Sequence, residues 1–174
     1  MPASRFVERL NEQVGHELAA HNQYLACAIH YDAMTMPQMA AHFYDQALEE
    51  RSHALMMVQY LLDTDAEIAI PAVEAPRSSF ADVVSPVELA LEQEKRVTAQ
   101  INDLLVIARD EGDFASEQFL QWFIKEQVEE VASMADLLAV VRRNAAALES
   151  IEEYVAREGG TPGDDPSAPR AAGG

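Results

Sequence analysis

The chain has 174 residues, 49% of them hydrophobic, and 30 acidic against 12 basic side chains give a formal charge of -18. That length suits one domain with a real core, and the charge argues against nucleic acid and anionic membrane surfaces as partners while favouring cations. No apolar stretch approaches the ~20 residues of a membrane span, no signal-peptide pattern opens the chain, and Cys27 is the single cysteine, which excludes an intrachain disulfide or thiolate cluster and fits a reducing, cytoplasmic setting.

Glycine is scarce before residue 159 and β-branched runs are short, so the chain reads as all-α. Ser4 is positioned to cap a first helix running to about Ala33, and Pro37, near a first-turn position, opens a second that ends around Asp63-Thr64. Residues 65–84 carry Pro71 and Pro76 and no helical stripe, so they form a long connection. Ser85-Pro86-Val87-Glu88 has capping-box spacing and starts a third helix to about Asp110. After the turn Glu111-Gly112-Asp113 a fourth helix reaches about Arg143, and a break near Asn144 separates a short fifth helix, roughly Ala147 to Glu158. Residues 1–158 are thus the folded domain, and the Gly/Pro/Ala-rich 159–174, without a large apolar residue, is expected to be a disordered tail. Two short turns make two antiparallel hairpins, and the long link can travel the length of the bundle. The expected fold is a four-helix bundle with one long crossover and a short fifth C-terminal helix.

Four polar residues occupy core slots of the four long helical stripes. Glu17 follows Val7, Leu10 and Val14; Glu50 lies between Ala47 and Ala54; Glu94 follows Val87 and Leu91; Gln127 follows Leu120 and Ile124. Glu17 and Glu50 are 33 residues apart, as are Glu94 and Gln127, and His53 and Glu130 each follow three residues after the second member. Each pair keeps the same distances from its hairpin turn, so all four side chains should reach similar heights. An unpaired buried carboxylate costs several kcal/mol or becomes neutral, so such a convergence calls for a highly charged cation. Glu50 and His53, at i, i+3, can grip one ion together with Glu17. Glu94 and Glu130, with Glu50 bridging, can hold a second. Oxygen-rich ligation with one imidazole suits iron or manganese and tolerates zinc.

These motifs resemble the ferritins, specifically the haem-free bacterial, actinobacterial-type members of the ferritin-like di-iron family, over about residues 4–158. That class carries a Glu on each of two helices and a Glu-x-x-His on each of the other two; here the second copy is Gln127-x-x-Glu130, the ferritin variant. The resemblance implies a ferroxidase centre of Glu17, Glu50, His53, Glu94, Gln127 and Glu130, a third iron position lined by Glu49, Glu126 and Glu129, and Tyr24 as the tyrosine beside the centre. It implies an iron-storage subunit that oxidises Fe(II) with O2 or H2O2 and stores ferric mineral in a 24-subunit cage, with a separate, unidentified reductant for iron release. Bacterioferritins place a haem-ligating methionine directly after the bridging Glu of the second helix; Arg51 stands there, so no haem is expected. The rival readings are a soluble di-iron peroxidase or oxygenase of the same superfamily and a non-catalytic helical scaffold.

Other residues carry plainer expectations. His21 sits one turn from Glu17 and should hydrogen-bond a carboxylate, with an extra ligand or plain packing as alternatives. His16, His30 and His42 fall off the site stripe and read as surface or local packing. Cys27, the methionines (Met34, Met36, Met39, Met56, Met57) and the aromatic run Phe119, Trp122, Phe123 read as core.

Overall fold

A computed structural model describes residues 2–159 and 165–173. Five helices follow one another: α1 (Ser4–Ala33), α2 (Pro37–Asp63), α3 (Ser85–Asp110), α4 (Phe114–Arg143) and α5 (Leu148–Glu158), with no strand among the described residues. The expected helices are all present, but two of the expected caps are not. The N-cap of α1 is Ala3, whose amide donates to Asp113 Oδ2 at 3.2 Å, and Ser4 makes no capping bond. The N-cap of α3 is Val84, and the capping-box bonds do not form. Asp82 takes that role, its Oδ1 accepting from the amides of Val84 and Ser85 at 3.0 and 2.8 Å.

Each long hairpin turns on a left-handed residue. Gly112 (φ 67) ends α3, the Asp113 amide donates back to Ala108 O at 2.8 Å, and the Asp113 side chain then caps α4 through Ser116. Thr35 (φ 60) plays the same part between α1 and α2, with the Met36 amide donating to Tyr31 O at 3.0 Å. Both are Schellman-type endings, which satisfy the last carbonyls and reverse the chain.

The crossover between α2 and α3 lies along α1 as a strap. Asn11 holds Glu67 O and the Ala69 amide, Gln23 holds both the amide and the carbonyl of Arg77, and Tyr31 Oη donates to Val83 O at 2.7 Å. Between these ties the strap presses on α1 at Gly15, where a Cβ would fall 2.3 Å from Pro71 Cγ. Because the strap returns the chain to the far end, α1 and α3 run antiparallel: Gln13 meets Gln100 while Tyr31 meets Val83.

The core is divided. One apolar cluster gathers Tyr24, Tyr31, Met39, Phe43, Val87, Met134, Leu138 and Ile151; a second gathers Phe6, Leu10, Val14, Met57, Leu61, Ile101, Leu104, Leu120 and Phe123. Between them lies a layer of buried polar side chains. Cys27, Met36, Met39, Met56, Met57 and Phe123 are buried, with Met34, Phe119 and Trp122 packed at the margins, as expected of core residues.

The described part of the tail, residues 165–173, touches the bundle. Residues 160–164 and 174 lie outside the described residues, but Asp165 accepts from Trp122 Nε1 at 3.1 Å, Ala168 and Ala171 pack on the second cluster, and the Ala172 amide donates to Leu55 O at 3.0 Å. Small side chains let this segment follow the bundle surface closely, and Trp122 and the Leu55 carbonyl supply polar anchors that composition does not reveal.

Candidate metal centre

The polar layer is assembled from all four long helices. Glu17, Glu50, His53, Glu94 and Gln127 are each at most 4% exposed, a density of buried acid that only a cation or protonation can offset. Glu17, Glu50 and His53 form one compact group, with a ligand atom from each lying within 4.8 Å of the others. His53 Nδ1 stands 3.3 Å from Glu50 Oε2, and the ring is held edge-on by Trp122 and Phe123 at centroid distances of 5.5 and 5.8 Å. Glu17 Oε2 is buried without any hydrogen-bond partner. An orphaned carboxylate oxygen in a group with a second carboxylate and an imidazole fits a divalent ion of the iron, manganese or zinc type.

The α3/α4 side is arranged differently. Glu94 accepts hydrogen bonds from the Tyr24 hydroxyl and, at 3.4 Å, from Gln127 Nε2. The Thr98 hydroxyl lies 2.8 Å from both Gln127 Oε1 and the Glu94 backbone carbonyl, and its one proton is shared between them. Glu130 is only partly buried and lies with Glu49 and Glu126 in a second three-carboxylate group, again within 4.8 Å. Glu129 is not in that group: it is exposed and faces Lys125 at 3.7 Å. Gln46 completes the neighbourhood by donating to Glu49 at 2.9 Å.

The electrostatics follow this packing. Burial, then the charges of Glu94, Glu17 and Glu130, hold the Glu50 carboxyl well above its ordinary range. Burial raises Glu94 as well, against the opposing hydrogen bond from Tyr24. Glu130 is pushed up to about 9 by burial and by Glu49, Glu94 and Glu126. Burial and the Glu49 charge raise Glu126, and burial with Glu94 raises the Tyr24 phenol. Without an ion the layer therefore holds protons at neutral pH, and a bound cation displaces them.

Spacing placed Glu17, Glu50, His53, Glu94 and Gln127 in one layer, and the structure brings them together. It separates Glu130 toward Glu49 and Glu126, and it leaves Glu129 outside. His21 does not reach a carboxylate: its Nδ1–H donates to the backbone carbonyl of Ala47 at 2.6 Å, because the neighbouring helix turn lies closer than the acids. His30 and His42 pack on aromatic neighbours, Tyr31 and Phe80 for the first and Phe43 for the second. Gln13, Thr98 and Gln46 were not singled out from sequence; an amide or hydroxyl one turn from a ligand, at i-4 or i+4, is the signal that marks Gln13 and Thr98.

Comparison with known proteins agrees with this geometry. Residues 7–144 match the ferritin family, described as the ferritin-like domain. Ferritin BfrB of Mycolicibacterium smegmatis is 50% identical over 171 residues, covering 98% of this chain and 94% of that one. The bacterial non-heme ferritin of Staphylococcus aureus is 37% identical over 132 residues, covering 76% and 80%. The open-pore ferritin of the archaeon Archaeoglobus fulgidus superposes with a TM-score of 0.86 at 29% identity, over 90% of this chain and 97% of that one. The chain belongs to the ferritin family.

Proposed function

We propose that this protein is an iron-storage ferritin subunit that oxidises Fe(II) within each chain and stores the ferric product in a homo-oligomeric cage. The observation that carries the reading is the buried Glu17–Glu50–His53 group with its unpartnered carboxylate oxygen, set in a layer shared by four helices. Iron is here the substrate. Glu17, Glu50 and His53 take the first Fe(II); Glu50, Glu94 and Glu130 take the second, for which Glu130 turns from Glu49 and Glu126. O2 accepts one electron from each ion and is reduced to the level of H2O2, while the surrounding carboxylates stabilise the more highly charged ferric ions. Gln127 orients an oxygen ligand, and Tyr24, bonded to Glu94, tunes the centre or supplies an electron.

Glu49 and Glu126, together with the more exposed Glu129, form the exit for ferric iron along a cavity of about 380 Å³ that Glu130 also lines. The assembly is read as a 24-subunit cage; apolar side chains that a single chain leaves in solvent, including Ile29, Leu48, Leu62, Val106 and Phe114, support subunit contacts of some kind. No haem enters the scheme, since Arg51 occupies the position after Glu50. A cytoplasmic location fits the composition, and among the described residues no helix is long and apolar enough to cross a membrane.

Fe(II) added in air to the purified, metal-free protein, followed by sizing with iron detection, tests the proposal. Hundreds of irons co-eluting at cage size support it. Uptake that stops near about two irons per chain on a small oligomer sinks storage and favours a di-iron peroxidase or oxygenase.

A further inference from the structure

We propose that Gln13, oriented by His16, is a positioning residue for iron oxidation: it occupies one oxygen of Glu17, so that the other alone is offered to the ion. This rests on the ferroxidase reading of the centre. Gln13 is 2% exposed and its Nε2 donates to Glu17 Oε1 at 2.8 Å. The second hydrogen on Nε2 points to Gln100 Oε1 at 3.4 Å, and Gln13 Oε1 accepts from His16 Nδ1 at 3.2 Å. The Glu17 carboxylate can only accept, so it fixes the orientation of the Gln13 amide, with Nε2 toward Glu17 and Oε1 toward His16. Turned over, the amide would set its oxygen against the carboxylate. His16 itself is half-buried on the wall of a cavity of about 320 Å³ between α1, the crossover and α3. The chain from that cavity to the centre is therefore His16, Gln13, Glu17.

The consequence lies in coordination. Glu17 Oε2 has no partner, whereas Oε1 is engaged by Gln13. A carboxylate tethered by one oxygen binds an ion through the other and does not close around it with both. A position on the first iron then stays open for the oxidant. Partners that orient a ligand from outside the coordination sphere typically change affinity or activity about 10–100-fold when removed.

The test uses the full-length protein with Co(II) as a spectroscopic probe, alongside Fe(II) oxidation in air. Gln13→Leu frees Oε1, lets Glu17 chelate with both oxygens, and raises the coordination number. The expected result is a weaker visible Co(II) absorption, Co(II) affinity that is unchanged or tighter, and oxidation at saturating Fe(II) about 10-fold slower. A purely structural role would weaken Co(II) binding and rate together. His16→Leu, which faces the cavity and removes only the donor, should shift the Co(II) spectrum in the same direction by a smaller amount, and His16→Gln, which keeps a donor, should recover most of it. A Co(II) spectrum and oxidation rate identical to wild type in Gln13→Leu would overturn the inference. If Gln13→Leu does not fold, identical Co(II) spectra for His16→Leu and His16→Gln would overturn it equally. Wild-type protein that fails to oxidise iron would refute the ferroxidase reading instead, and the Co(II) comparison would still decide the role of Gln13.

Discussion

The two hairpins carry the same 33-residue spacing, yet they deliver their side chains in different states. On the α1/α2 side, Glu17, Glu50 and His53 form one compact group, and one Glu17 oxygen is buried without a partner. On the α3/α4 side, Glu94 is tied to Tyr24 and Gln127, and Glu130 is drawn toward Glu49 and Glu126. Position in a helical bundle is set by spacing, whereas readiness to bind is set by neighbours. The α1/α2 half is gathered into one three-ligand group, whereas Glu94 and Glu130 are engaged by other neighbours, so under the proposed function the α3/α4 half would rearrange to take a second ion.

The largest effect should come from breaking the three-ligand group. Glu50→Ala removes the residue proposed to be shared by both ions and should abolish fast Fe(II) oxidation, read as ferric absorbance in stopped flow. In an inert scaffold the same change would leave that slow background rate untouched. Next is Glu130, whose carboxyl is raised to about 9 in the ion-free protein from an ordinary value near about 4.3. Its folded form holds a proton that the unfolded chain has already released, so its contribution to stability is complete below the unfolded value and is lost as pH rises toward 9. Melting of metal-free protein between about pH 6 and pH 9 should show a steep loss for wild type and a shallower one for Glu130→Gln. The same protons should appear in unbuffered solution when Zn(II) binds at neutral pH.

A smaller change is expected at Thr98, whose hydroxyl proton is shared between Gln127 Oε1 and the Glu94 backbone carbonyl. Thr98→Val should slow oxidation about 10-fold with little change in binding of the first ion, measured by anaerobic Fe(II) titration. Smallest of all is Glu129→Ala. Glu129 is exposed and paired with Lys125, and surface pairs of this kind contribute about 0–1 kcal/mol. The first oxidation event should proceed at the wild-type rate, and any effect should appear only in the clearance of ferric product during repeated additions.

Much of the fold was legible because helical periodicity, Pro37, Gly112 and the long 65–84 link are local signals. Glu17, Glu50, His53, Glu94 and Gln127 could be placed because each interrupts an apolar stripe, and a charge in a core slot is conspicuous. What escaped depends on which element lies across the gap. Asp82 caps α3 in place of Ser85 because the strap turns there. His21 meets Ala47 O because α2 lies close. Residues 165–173 rest on the bundle because Trp122 and Leu55 offer polar groups at the right spacing. Glu129, grouped with Glu49 and Glu126 on the family pattern, lines the same cavity but is exposed and lies 3.7 Å from Lys125, a neighbour the pattern does not reveal.

The most direct test of the three-ligand group is anomalous diffraction at the iron edge from crystals soaked anaerobically with increasing Fe(II). The first density should lie among Glu17, Glu50 and His53, and a second, beside Glu94 with Glu130 turned inward, should follow only at higher iron. Iron appearing first among Glu49, Glu126 and Glu130, with none between Glu17 and His53, would contradict the account.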